Sequence, residues 1–183
     1  MIKIDNFKLI KDFLVFPESD TYFFLQVLQR RKGMTKQRYS NLIVNRDFDE
    51  DIIEYYCKMF TARAYISVIP RSLKKFTVEL SKAVLNRVFN ESYVTSTFRL
   101  PDSIALSKKT VISGYNLWMF DIDDPDMKDI VLEECKLCKI DVKVVIPSFK
   151  GYHIIVKPFN PTGFKYESLI KKESNTLLFG YEY

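Results

Sequence analysis

The chain predicts an α+β fold, a mixed or antiparallel sheet with flanking helices. Short apolar, aromatic-rich runs of strand length alternate with stretches whose apolar residues recur at helical spacing. Two of the strand-like runs are separated only by a short turn built on Phe149-Lys150-Gly151, and a turn this tight joins antiparallel neighbours. Composition agrees: 47% hydrophobic and 28% charged residues over 183 positions suit a folded globular chain, not a disordered or fibrous one.

Taken in order, residues 22–29 read as a strand running into the basic turn Arg30-Arg31-Lys32-Gly33, and residues 41–44 as a second short strand. Over 49–60 the apolar residues Ile52, Ile53, Tyr56 and Phe60 recur at helical spacing. Asp49, Glu50 and Asp51 stand where the helix dipole favours negative charge. Residues 64–69 form a strand stopped by Pro70. Ser72 then caps a helix with Leu73, Phe76, Leu80, Ala83, Val84 and Val88 on one face. Residues 91–110 are less regular in pattern. Gly114 introduces a strand over 115–120, and Asp124-Pro125 supplies an N-cap with proline at the first helical position. Met127, Ile130, Val131 and Cys138 continue that helix. Residues 141–147 and 152–156 are the arms of a hairpin, followed by a short helix near 164–171 and a last strand near 176–179.

The whole of 1–183 reads as one unit, with an N-terminal αβ part over 1–110 and the chemistry-bearing motifs over 115–157. Lys and Arg outnumber Asp and Glu by 28 to 23, a net +5 that suits a polyanionic partner without demanding one. Apolar runs fall far short of the roughly 20 residues a spanning helix needs, so no membrane partner is expected. Three cysteines cannot all pair within the chain, which favours a reduced, cytoplasmic setting. Cys135 and Cys138 have CxxC spacing, but only Cys57 and His153 remain as further Cys or His ligands. The pair therefore reads as helix cysteines.

The sharpest motif is Phe120-Asp121-Ile122-Asp123-Asp124 at the end of a hydrophobic strand. Side chains two apart on a strand share a face, so Asp121 and Asp123 project together while Ile122 turns to the core. Two carboxylates this close repel unless a cation lies between them, and oxygen ligands favour Mg²⁺ or Mn²⁺, which bridge to phosphates. A purely structural role as helix cap is filled by Asp124 alone. The second motif is Ser148-Phe149-Lys150-Gly151-Tyr152-His153. The chain's only histidine occupies a strand position that an aliphatic residue would fill with less desolvation. Ser148, Lys150 and the Gly151 backbone beside that imidazole suit a phosphate-binding corner.

A strand ending in DxD, a helix, a strand, and a Ser-x-Lys-Gly-x-His turn running into a strand resembles the archaeo-eukaryotic primase superfamily, including its primase-polymerase branch. The match covers residues 115–157 in order and spacing. The resemblance implies a primase catalytic core of RRM-like architecture, with Asp121 and Asp123 binding Mg²⁺ or Mn²⁺ and His153 contacting the incoming nucleotide as catalytic residues. Ser148 and Lys150 would line the same phosphates. The upstream Arg63-Ala64-Tyr65-Ile66-Ser67-Val68-Ile69-Pro70-Arg71-Ser72 is similar to basic strands of phage-type relatives, where Arg63 or Arg71 would reach template or triphosphate. The implied activity is nucleotidyl transfer from nucleoside triphosphates on a single-stranded DNA or RNA template, in company with a helicase or other replication protein. In that family a hydrophobic-Asp pair completes the metal site, and none follows His153 here; Glu167, Glu173 and Glu182 are the late acids. A catalytically inactive module that binds nucleotide or nucleic acid is the alternative. A strand-end DxD also opens the haloacid dehalogenase family, but that family wants Thr or Val where this chain has Pro125.

Overall fold

The computed structural model describes residues 2–29, 38–90, 99–172 and 175–182. From the N-terminus run β1 (Ile2–Asp5), α1 (Phe7–Phe13), β2 (Thr21–Gln29), β3 (Arg38–Ile43), α2 (Glu50–Phe60), β4 (Ala62–Ser67), β5 (Arg71–Ser72), α3 (Leu73–Phe89) and α4 (Leu100–Ala105). They are followed by β6 (Trp118–Ile122), α5 (Met127–Leu137), β7 (Val142–Pro147), β8 (Tyr152–Val156), β9 (Ile170–Lys171) and β10 (Asn175–Glu182). The fold is α+β, and its strands divide into two antiparallel sheets. The first has the order β1-β10-β4-β2-β3 with β5 pairing β2; the second has the order β7-β8-β6-β9.

Local chemistry explains the boundaries that match the sequence reading. Asp49 caps α2 by accepting from the Ile52 N–H at 3.0 Å, with Glu50 and Asp51 in the first turn. Ser72 caps α3 by accepting from the Lys75 N–H at 3.2 Å, and it donates to Asp20 at 2.6 Å. The expected hairpin is β7 and β8, paired antiparallel across the Ser148-Phe149-Lys150-Gly151 turn.

The core explains how the two sheets come together. Phe7 and Ile10 of α1 and Ile53 and Cys57 of α2 bury against Ala62, Ala64 and Ile66 of the first sheet. The same cluster takes in Met119, Ile146 and Ile155 of the second sheet. The alternate residues Phe120, Ile122, Ile154 and Val156 pack instead with Val131 and Cys135 of α5. The second sheet thus has one face toward α5 and the other toward the first sheet, as two-residue periodicity requires. The buried Asn6 amide ties the sheets by donating to the carbonyls of Pro147 at 3.0 Å and Leu177 at 2.9 Å.

Several elements differ from the sequence reading. β1 and α1 occupy an N-terminal stretch for which no element is predicted, and α4 lies within the supposedly irregular 91–110. The strand expected over 115–120 begins at Trp118 and carries on through Asp121 to Ile122. Helix α5 starts at Met127 rather than after Asp124, because Asp124 closes a turn, accepting from the Asp126 N–H with its carboxylate and from the Met127 N–H with its carbonyl. Cys135 takes the core position expected of Cys138, which is exposed. The helix expected near 164–171 is a 3₁₀ turn (Glu167–Leu169) followed by β9. On α3 no residue is fully buried: Leu73 and Phe76 rest half-covered against Tyr22 and Phe24, while Val84 and Val88 are exposed. The basic turn at 30–33 lies outside the described residues. Among the described residues no helix is long and apolar enough to cross a membrane.

Candidate functional site

The β6–β8 register builds the site. Asp121 stands directly opposite His153, so both side chains leave the same face of the second sheet. The His153 Nε2 lies 3.5 Å from Asp121 Oδ1, and its Nδ1 lies 2.8 Å from the Thr176 hydroxyl on β10 of the other sheet. His153 is 8% exposed and Thr176 is fully buried, whereas Asp121 is open to the cleft at 37% of its side chain. Asp123, just past the strand end, is exposed and lines the same cleft.

The hairpin turn is folded against the end of the Asp121 strand. Its Ser148 N–H donates to the Gly151 carbonyl at 2.8 Å, and the Gly151 N–H donates to the Ser148 hydroxyl oxygen at 3.1 Å. The Gly151 amide is therefore spent within the turn and does not face a ligand. The Ser148 hydroxyl keeps its own proton to donate. A Cβ on Gly151 would stand 2.2 Å from the Ile122 carbonyl oxygen, so only glycine lets the turn lie this close to the Asp121-Ile122-Asp123 segment. Lys150 projects from the turn, exposed at the cleft. Phe149 reaches across to the first sheet, where its ring lies 4.1 Å beneath the Arg63 guanidinium and against Gly180.

Between the sheets these groups enclose a cleft of about 420 Å³. Arg63, Asp121, Asp123, Ser148, Lys150 and His153 all line it. Arg71 does not. It is buried at 4% exposure and donates to the Ser107 carbonyl and the Thr110 hydroxyl, bracing the segment before β6. Its role as a strand-end arginine reaching template or triphosphate gives way to a structural one.

Three further polar residues line the cleft that the sequence does not single out: Gln26 of β2, Tyr65 of β4 and Asn175 of β10. Gln26 has a sequence signal, being a polar residue within the apolar run of β2 that is nonetheless buried at 7% exposure. Tyr65 follows from strand alternation with Arg63. Asn175 and Thr176 have none, because their place depends on how the two sheets meet.

The donor set suits a hard cation. Asp121 and Asp123 offer carboxylate oxygens in an open cleft, and Mg²⁺ or Mn²⁺ is commonly held by one or two carboxylates with water and phosphate completing the shell. Among the described residues no group of three or more His, Cys, Asp or Glu forms a closed metal cage. Of the late acids, Glu167 sits in the 3₁₀ turn away from the cleft lining, Glu173 lies outside the described residues, and Glu182 ends β10. The cysteines stand apart: burial pushes the Cys57 thiol up to about 12 and the Cys135 thiol up to about 11, so both stay protonated and neither offers a thiolate.

No protein-family model, no curated protein and no solved structure matches the chain.

Proposed function

We propose that the protein is a metal-dependent nucleotidyltransferase of primase or primase-polymerase type, acting on nucleoside triphosphates and a single-stranded DNA or RNA template. The observation that carries this reading is the registered Asp121–His153 pair, placed with Asp123, Ser148, Lys150 and Arg63 around one cleft. Asp121 and Asp123 would hold Mg²⁺ or Mn²⁺, which would supply charge stabilisation for the attacking and leaving oxygens of phosphoryl chemistry. The chain's own groups bind and orient the triphosphate. Lys150 and Arg63 bring positive charge to it, Ser148 donates a hydroxyl, and His153 Nε2 lies beside Asp121 where a phosphate oxygen would sit. Stacking on Phe149 fixes the Arg63 guanidinium and limits its loss of freedom on binding. Rate enhancement then comes from positioning and charge stabilisation.

The test is nucleotidyl transfer by purified protein given labelled triphosphates, primed and unprimed single strands, and either ion. Product is expected with Mn²⁺ before Mg²⁺, since Mg²⁺ demands near-ideal octahedral geometry and two carboxylates supply little of it. His153→Ala is expected to lower the rate about 10²-fold, the scale of losing one donor to developing charge. Activity unchanged in His153→Ala would contradict the assignment. A second reading has an observation of its own: only two acids line the cleft among the described residues. On that reading the module binds nucleotide or nucleic acid without turnover. Nucleotide binding with no product under any of these conditions would select it.

A further inference from the structure

His153 faces two groups of different chemistry. On one side Nε2 lies 3.5 Å from a carboxylate oxygen of Asp121; on the other Nδ1 meets the Thr176 hydroxyl, which can donate or accept. A neutral imidazole carries one N–H and one lone pair. With the proton on Nδ1, the Nε2 lone pair would face a carboxylate oxygen 3.5 Å away, two electron-rich atoms opposed. With the proton on Nε2 both contacts are favourable, provided the Thr176 hydroxyl turns its hydrogen toward Nδ1. The Nδ1 contact, at 2.8 Å and between buried groups, is the shorter of the two and the one shielded from water. It also spans the two sheets, from β8 to β10.

We propose that Thr176 is a positioning residue for His153: its hydroxyl donates to Nδ1 and holds the ring as the Nε2–H tautomer, so that the histidine presents an N–H to an anionic group bound beside Asp121. The hydroxyl fixes ring rotation and tautomer together, before any ligand arrives. A phosphate oxygen then finds a donor already aimed. The identity of that ligand rests on the nucleotidyltransferase reading; the hydrogen bond itself does not.

The chain has a single histidine, so its ring nitrogens give an unambiguous nitrogen NMR signature. At neutral pH the wild-type ring is expected to show an unprotonated Nδ1 that accepts a hydrogen bond. In Thr176→Val the Nδ1 resonance should move toward that of a free ring nitrogen, and in Thr176→Ser it should return. Binding of ATP with Mn²⁺ should weaken about 3–10-fold in the valine variant, the worth of one lost hydrogen bond, and recover with serine. A protonated Nδ1 in the wild type overturns the proposal even if the valine variant fails to fold. An Nδ1 resonance unchanged in folded Thr176→Val overturns it too, as does full ATP affinity in a variant whose resonance has moved. If the resonances behave as expected while the wild type binds no nucleotide, the Thr176 hydrogen bond stands and the nucleotidyltransferase reading falls.

Discussion

Gly151 carries more of the site than any charged side chain in the turn, because its lack of a Cβ sets the distance between the turn and the strand of Asp121. In Gly151→Ala the new methyl would meet the Ile122 carbonyl oxygen at 2.2 Å, a backbone atom that cannot swing away. The turn must move, and with it Ser148 and Lys150. Urea unfolding should show a loss of about 1–3 kcal/mol, the usual scale for overpacking a tight site. Metal-dependent nucleotide binding should weaken further than stability alone explains. Wild-type stability and binding in this variant would mean that the turn has slack. The two aspartates behave in the opposite sense. Asp121→Asn with Asp123→Asn removes like-charge repulsion, so in metal-free buffer the double variant should melt at or above the wild-type temperature while losing metal-dependent binding. A lower melting temperature would assign the acids to structure.

At the scale of elements, the capping pair Ser72 and Asp20 gives a pH-dependent handle. Hydrogen bonds from the Ser72 hydroxyl and then the Lys74 N–H hold the Asp20 carboxyl below its ordinary range. Asp20 therefore releases its proton more readily folded than unfolded. The contribution is present above the unfolded value near pH 4 and is lost as the pH falls through the lower folded value. Ser72→Ala should cost about 1 kcal/mol at neutral pH, and denaturant titrations should find the gap to wild type narrowing as the medium is acidified below the ordinary carboxylate range. A gap that widens in acid would contradict this account. The same local chemistry decides what can be read from sequence. The starts of α2 and α3 and the β7–β8 hairpin are legible because a cap or a turn sits beside each in the chain. β1 and α1 are not, since β1 is held by pairing with β10, from the far end of the chain, and α1 by burial of Phe7 and Ile10. Six of the cleft residues lie between 121 and 153, on two neighbouring strands, just past the end of one and in the turn that leads into the other, and Arg63 belongs to a strand that reads as basic. Gln26, Tyr65 and Asn175 join them only because the first sheet closes over the second. Arg71 looks equivalent to Arg63 in sequence, but it is buried and donates to Thr110 instead.

Across the whole molecule, the cleft is made by two sheets that share one buried cluster, with Met119, Ile146 and Ile155 meeting the core of the first sheet. Its walls carry opposite charge: carboxylates on one strand end, with Lys150 and Arg63 around them. A nucleoside triphosphate with its cation complements both at once, whereas either alone leaves charge unmatched. A ligand that binds the folded state alone stabilises it by mass action, roughly 2.7 kcal/mol at a hundredfold excess over its dissociation constant. The most direct test of the central claim is therefore the melting temperature with Mn²⁺ and a nucleoside triphosphate, each alone and together, for wild type and for Asp121→Asn with Asp123→Asn. The account predicts a rise with the two together that exceeds the sum of the separate effects in the wild type and is absent from the double variant. No rise in the wild type, or an equal rise in both proteins, would contradict it.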